Sequence, residues 1–513
     1  MESVTEEREA ASSSRPAQPD AVVHSVGRDA TWLLAGRAAA AVAGWLGTAV
    51  IARQLSPDAW GSYSFVFGLF GILGVIVDLQ VGRIVLRQVL EAEPGEAERI
   101  VGSYTLFRVL VGVLAMALGL AFVIVGGYDS SIVLGTLIVG TGLVFMSPGW
   151  GLRLWFQARM RLRPVAIATI AAAVVQLAAT VLIAGTSHPT FPQFTVPVLV
   201  AQALLLVWLA VVLHRGGVHP RYRPRRGEWW LWVKESAPLA IGFGLVSLYL
   251  KLDIVMLSKL DTLDSVGLYG IGYKFADLAT FVPIALLTPV LTVMVMSTNG
   301  RREVRRHFRQ AFVLLFVAAV GGGVLFALTA TPTITLFYGE RYAVAAGSAR
   351  LLVAGACLGF LTHLCVTTLV ALGRNRLYAL AGLLGLVVNV VLNLVLIPAH
   401  SYDGAAVATV VTEGAVLALL VTGLHRSSRV VHVPWAPVAR TLVAASALVV
   451  VYAGVDRVLP WWVAAAAATA AFAAALHALG VDGPGGLRGL VSNARFSVEQ
   501  PTAGEQDAAI AEP

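Results

Sequence analysis

An all-α integral membrane fold with about fourteen transmembrane helices is predicted by three features of this sequence. Hydrophobic residues make up 58% of the chain and charged residues only 13%, against roughly 25% charged in soluble domains. Apolar runs long enough to cross a bilayer recur along nearly all 513 residues and leave no polar segment of domain size. Arg and Lys gather in short clusters between alternate runs, as they do in cytoplasmic loops. A mean hydropathy of +0.79 makes the bilayer, not water, the solvent for most of the chain.

The first element is the N-terminus, MESVTEEREAASSSRPAQPDA, which is acidic and polar. A cleavable signal peptide has the opposite character, a basic start followed by a short apolar stretch. Residues 1–28 are therefore expected to form a disordered cytoplasmic tail. Spanning runs of about 20 mostly apolar residues follow at 30–52, 60–88, 99–125, 130–152, 164–185 and 194–213, giving an N-terminal six-helix bundle over 29–214.

The polar break HRGGVHPRYRPRRGEWWLWVKE supplies a cytoplasmic linker over 215–234. Its Trp229, Trp230 and Trp232 are expected to form an aromatic belt on a helix lying at the membrane interface. Runs then resume at 235–258, 265–297, 308–332, 346–371, 377–398 and 403–424, a second six-helix bundle over 235–424. Helices at 438–456 and 459–479 fill 425–480, and 481–513, with its GPGG and its acidic, Ala-rich end, is expected to be a disordered cytoplasmic tail. The second and eighth runs exceed the usual span, which implies tilt, a kink or an extension beyond the bilayer.

The basic residues orient this array. Loops after even-numbered runs carry Arg83, Arg87 and Arg99; Arg153, Arg159, Arg161 and Arg163; Arg215, Arg221, Arg223, Arg225 and Arg226; Arg301, Arg302, Arg305, Arg306 and Arg309; Arg374 and Arg376; Arg426 and Arg429. Loops after odd-numbered runs offer little beyond Arg53, Lys259, Arg341 and Arg457. The rule that positive loops stay inside places the even loops and both termini in the cytoplasm, as in a multi-pass protein of the cell membrane. The outward loops are under about 20 residues, too short to hold an external catalytic domain. The net charge of +8 is scattered rather than gathered on one face, which argues against nucleic acid as a partner.

Cys357 and Cys365 share one apolar run and read as packed core residues, neither a disulfide framework nor a metal site. The sequence has no phosphate loop, no HExxH pattern and no nucleophile elbow. No metal, no cofactor and no enzymatic activity are expected.

The halves of the chain repeat. IARQLSPDAWGSYSF at the end of the first run is similar to LSKLDTLDSVGLYGIGY at the end of the seventh, each with a short acidic turn and then Gly-x-Tyr: Gly61 and Tyr63, then Gly267 and Tyr269. An even number of runs lies before the second copy, so the copies share one orientation and form a parallel repeat about an axis along the membrane normal.

At these residues the chain resembles the Wzx-type oligosaccharide flippases of the multidrug/oligosaccharidyl-lipid/polysaccharide exporter superfamily. The resemblance rests on ARQLSPDAWGSY, on LYLKLDIVMLSKLDTLDSVGLYGIGYKFADL and on the fourteen-run layout, so it covers nearly the whole membrane region with loose motifs. It implies two six-helix bundles facing each other in a V, two added C-terminal helices, and a polar cavity open to one side at a time. The implied cargo is a polyprenyl-linked oligosaccharide carried to the outer leaflet. The implied partners are that cargo, membrane lipids, and the glycan polymerase or glycosyltransferases of the same pathway.

Ionisable residues inside spans point to the same region, because they are costly there and face a cavity or one another. Lys274 lies about 15 Å below the outer start of the eighth run, with Asp277 one turn later. The two either neutralise each other or present Lys274 to an anionic headgroup. Lys251 and Asp253 point in different directions on the seventh run, and Asp253, an acidic position in the family, is expected to partner Lys274. Arg37 either snorkels or lines the inner mouth, where a guanidinium suits a diphosphate. Glu413, near the middle of the twelfth run, is a candidate for ion coupling. Arg108 is expected to reach the inner headgroups and Asp78 to pair with Arg83 or Arg37. Tyr249, Tyr269 and Tyr273 either stack on sugars or pack between helices. RREVRRHFRQ is expected to meet anionic lipid headgroups.

Three functions fit these features unequally. A lipid-linked oligosaccharide flippase fits best. An ion-coupled multidrug or small-molecule antiporter of the same superfamily is weaker, because a cavity for cationic drugs favours carboxylates over lysines. A membrane glycosyltransferase or polymerase is weakest, because its catalytic carboxylates have no external loop to occupy.

Overall fold

The computed structural model describes Gly36 and residues 39–296, 301–372, 374–428 and 433–481. Apart from Val481, the two expected tails lie outside the described residues, and so does Arg37. Every regular element among the described residues is a helix. They are α1 (39–54), α2 (Pro57–Asp78), α3 (Val81–Glu91), α4 (Pro94–Val125), α5 (Ser130–Ala158), α6 (Arg163–Ala184), α7 (Val196–Arg215), α8 (Glu228–Tyr249), α9 (Leu252–Leu260), α10 (Leu263–Met296), α11 (Arg301–Tyr338), α12 (Ala346–Ala371), α13 (Asn375–Ser428), α14 (Trp435–Val455) and α15 (Trp461–Ala478).

Among the described residues, 11 helices are long and apolar enough to cross a membrane, or 12 when Glu228–Pro238 and Ala240–Tyr249 are taken as one span. One of the 11, Arg376–Arg426, holds two helices that meet at Ser401, where φ is 54° and ψ −139°. The opening helix is described only from residue 39. Counting the two helices that meet at Ser401 separately gives 12 or 13 candidate spans among the described residues, roughly the fourteen read from the sequence. Ser401 pays for its backbone strain through its hydroxyl, which donates to Asp261 and shares a 3.0 Å hydrogen bond with Ser265.

Two of the long runs break. The second ends as a helix at Asp78, because Leu79 and Gln80 both take positive φ, 41° and 53°. Left-handed backbone costs roughly 1–2 kcal/mol per non-glycine residue, and it turns the chain into the amphipathic α3, whose Val81, Val85 and Val89 are buried. The seventh run breaks at Leu250 and Lys251 rather than continuing to 258, so that α9 is a separate nine-residue helix. The eighth run, by contrast, is one unbroken helix, α10.

The chain divides into two compact units, residues 1–55 with 73–238, and residues 56–72 with 239–513. In the first, α4 packs on α5 and α7 packs on both α5 and α6. Its core joins Val81, Tyr104, Phe107, Leu152, Trp155, Leu209 and Trp232. In the second, α12 packs on α10, α11 and α13, α9 lies on α13, and the final pair α14 and α15 closes on α11 through Val313, Val317, Leu448 and Phe472.

The first unit corrects two expectations. Trp232 is fully buried between Tyr104 and Phe107 and donates to Gln88 at 2.9 Å, and Trp229 donates to Ser103 at 3.1 Å. Only Trp230 is exposed, so the tryptophans fasten the start of α8 to its own unit instead of forming a belt. Arg99 reinforces the attachment with bonds to Glu228 at 2.6 Å and Glu96 at 3.0 Å. Arg108 does not reach the headgroups either. It is 1% exposed, donates to the Val77 carbonyl at 2.8 Å, lies 3.7 Å from Asp78 and faces the Trp150 ring at 5.2 Å. The break after Asp78 leaves the last carbonyls of α2 without helical partners, and the guanidinium supplies a donor there.

Candidate functional site

The break between α8 and α9 gathers the charges of the second unit. Lys251 sits at the N-cap of α9 with φ −131°, outside helical geometry. Its ammonium donates to the Tyr273 hydroxyl at 3.3 Å and lies 4.8 Å from the Tyr273 ring centroid. Tyr273 in turn donates to the Leu250 carbonyl at 2.7 Å, one of the groups freed by the break. A methyl on Gly71 of α2 would come within 2.7 Å of the Lys251 side chain, so the absence of a Cβ there makes room for the lysine stem.

Asp253, on the first turn of α9, is 1% exposed. Its Oδ2 accepts from the hydroxyls of Tyr269 and, at 3.1 Å, Thr409, and its Oδ1 is buried without a partner among the described residues. The expected partnership with Lys274 is not formed: among the described residues no ion pair joins them. Two hydroxyls on α10 and α13 reach the carboxylate instead, which satisfies part of its hydrogen-bonding capacity without a second charge.

Lys274 and Asp277 are both half-buried on α10. They interact electrostatically, and Lys251 also acts on Lys274. Among the described residues Lys274 has no hydrogen bond and no ion pair at contact distance, and Asp277 acts on it through space. Glu413 on α13 is buried. Its Oε1 accepts from the Tyr249 hydroxyl at 3.2 Å, and its Oε2 has no partner among the described residues. Tyr273 lies within electrostatic reach of Asp253, Asp277 and Glu413 and so links the two carboxylate clusters.

Five of the six residues singled out from the sequence thus belong to one neighbourhood of the second unit, and Arg37 is outside the described residues. The sequence left the tyrosines undecided between sugar stacking and packing. In the structure each is committed to an ionisable side chain: Tyr249 to Glu413, Tyr269 to Asp253, Tyr273 to Lys251. Thr409 was missed. Its signal was its place one turn before Glu413, on the same face of α13.

The family model for polysaccharide biosynthesis proteins matches residues 26–295, more than half of the chain. The chain belongs to the polysaccharide biosynthesis protein family. A second model, MatE, matches residues 238–395. No curated protein matches.

Among solved structures, the family member's fold is that of the lipid II flippase MurJ in an inward closed conformation, with a TM-score of 0.74 over 88% of this chain and 99% of that one at 12% identity. An inward-facing multidrug resistance MATE family transporter of the MOP superfamily gives 0.62 over 75% and 94% at 11% identity. A MOP superfamily transporter from Pyrococcus furiosus, described as having a binding pocket of reverse polarity, gives 0.55 over 80% and 97% at 11% identity. Family and fold together make this a multi-pass membrane protein of the polysaccharide biosynthesis family with the fold of these flippase and transporter structures.

Proposed function

We propose that this protein moves a polyprenyl-diphosphate-linked oligosaccharide, the repeat unit of a polysaccharide, from the cytoplasmic to the outer leaflet of the cell membrane by alternating access. The observation that carries the reading is Lys274, a half-buried cation within a span that has no ion-pair partner among the described residues. A charge in that position is costly unless something answers it, and a diphosphate headgroup is an anion of the right kind. Lys251 lies close enough to act on it electrostatically. The family match spans Arg37, Lys251, Asp253, Lys274 and Asp277 together.

In this reading the bundles of 29–214 and 235–424 alternate around the cargo, helices within 425–480 flank them, and the 215–234 segment and both termini lie in the cytoplasm. Arg37 meets the diphosphate at the inner mouth, Asp253 and Asp277 act on Lys251 and Lys274 electrostatically without pairing with them, and Glu413 takes part in ion coupling. Membrane lipids and the glycan polymerase or glycosyltransferases of the pathway are its partners. The test is export of surface glycan by Lys274→Ala and Arg37→Ala variants that still insert in the membrane. Loss of export in both is expected, and normal export in both would sink the assignment.

The MatE match over 238–395 favours a second reading, ion-coupled antiport of small molecules. Drug resistance conferred on an expressing strain, with glycan export unchanged by deletion, would select it over the first.

A further inference from the structure

Between α7 and α8 the chain runs from His219 to Arg226 without helix, and its Pro220 and Pro224 keep such a stretch extended. It is nonetheless fixed to the inner end of α4. The Arg221 backbone nitrogen donates to the Glu98 carbonyl at 3.2 Å, and Arg99 Nη1 donates to the Arg223 carbonyl at 3.2 Å. A Cβ on Gly102 would overlap the Arg221 carbonyl and stand 2.8 Å from the Arg221 nitrogen, so this glycine lets the strap lie directly on the helix. Arg225 fastens the far end, its nitrogen donating to Glu228 at 3.2 Å and its guanidinium pairing with Glu96 at 2.8 Å. All of these residues belong to the first compact unit.

Because the strap is held mainly through its backbone, its side chains are left to the surface. Residues 221–226 are all exposed. The carboxylates of Glu96 and Glu228 are taken up by Arg99 and Arg225. Among the described residues Arg221, Arg223 and Arg226 form no ion pair. Three unanswered guanidinium groups on a fixed backbone make a surface for phosphate oxygens.

The length of α4 gives the depth of this surface. Its 32 residues extend about 48 Å, of which about 20 residues cross the hydrocarbon. Ile124 and Val125 at the outer end are exposed and apolar, so a count of about 20 residues inward from them ends near Leu106. Gly102 and Glu98 then lie about 6 Å and about 12 Å beyond that edge, at the level of the headgroups and their aqueous margin. Immediately after the strap, Trp230 and Leu231 are exposed, apolar surface of the kind that enters the bilayer interface beside a basic segment.

We infer that the strap at residues 219–226 is a binding site for the headgroups of anionic phospholipids in the inner leaflet, with Arg221, Arg223 and Arg226 meeting the phosphates and Trp230 seated at the interface. The site needs no cargo, and it rests only on the cytoplasmic orientation proposed above for this connection.

Native mass spectrometry of the purified full chain with added phosphatidylglycerol counts the lipid retained. The wild type is expected to keep several-fold more than a variant carrying Arg221→Gln, Arg223→Gln and Arg226→Gln, whereas both keep phosphatidylcholine equally. Equal retention of phosphatidylglycerol overturns the proposal. Displacement of the lipid by inorganic phosphate at constant ionic strength also overturns it, assigning the arginines to a soluble anion. Gly102→Ala separates a built site from scattered charge, because it removes no charge while its methyl displaces the strap. Retention is expected to fall toward that of the triple variant, and unchanged retention in the folded protein contradicts the site.

Depth is read separately, in vesicles of phosphatidylcholine and phosphatidylglycerol. Tyr222→Cys, in a chain with Cys357→Ala and Cys365→Ala, carries a bimane fluorophore that is expected to be quenched strongly by a nitroxide on the lipid headgroup. Emission equal to that in vesicles without the nitroxide would place the strap away from the membrane and overturn the inference. None of these measurements reads transport, so their failure and that of the cargo assignment are distinct.

Discussion

The first halves of α2 and α10 follow one design, sharing Asp58 with Asp264, Gly61 with Gly267 and Tyr63 with Tyr269, and part in charge at two positions further along. Both begin with a short acidic turn and Gly-x-Tyr, and both press a glycine against the other's backbone. Where α10 then carries Lys274 and Asp277, the register of the repeat puts Gly68 and Gly71 in α2. The difference is enforced by packing: a Cβ at Gly68 would stand 2.7 Å from the Ile254 side chain, and one at Gly71 equally close to that of Lys251. The repeat supplies the scaffold twice and the chemistry once. One copy provides charge, and the other provides the space in which a third charged side chain, Lys251, is seated.

Substitutions can break or sharpen this comparison. The largest effect is expected at the shared glycines. Gly61→Val and Gly267→Val drive side-chain atoms into backbone that cannot rotate away, so each should cost about 3 kcal/mol or more. The losses should match, read as thermal unfolding in detergent, and a large inequality would show that the two copies are not equivalent there. Next come the positions that differ. Gly68→Lys should prevent stable assembly, whereas Lys274→Gly should fold with a loss of about 1 kcal/mol and fail in transport.

Asp253→Ala is a smaller change. It leaves the Tyr269 and Thr409 hydroxyls without their acceptor and should cost about 1–3 kcal/mol, while Asp253→Asn, which keeps an acceptor oxygen, should cost less. The smallest effect on stability is expected at Gly71→Ala. The methyl meets the flexible Lys251 stem, so less than about 1 kcal/mol should be lost. Displacement of the ammonium from Tyr273 should still raise the cargo concentration needed for half-maximal transport.

The helices were legible because a span is a local property, some twenty apolar residues with charges at the ends. Breaks were harder to see. Leu79, Gln80 and Lys251 carry no proline or glycine signal, and their backbone is set by partners far away in sequence, such as Arg108 on the Val77 carbonyl and Tyr273 on the Leu250 carbonyl. For the same reason Arg108 was misread as a snorkelling arginine and Trp232 as an interfacial one, since depth along a helix says nothing about which neighbour stands opposite. Lys251, Asp253, Lys274 and Asp277 could be found because charge in a span is rare. Their partners Tyr273, Tyr269 and Thr409 are ordinary residues in membrane helices and gain meaning only from the fold. Gly68 and Gly71 were readable in principle, through the register of the repeat, once Lys274 and Asp277 had been noticed.

The central claim is that Lys274 answers an anionic, lipid-linked cargo. Its most direct test is the rate at which purified protein in vesicles brings a fluorescent polyprenyl-diphosphate oligosaccharide to the opposite leaflet, compared between wild type and Lys274→Ala. The predicted result is transfer by the wild type and a variant no faster than protein-free vesicles, with both proteins equally folded. Equal rates for the two proteins would contradict it.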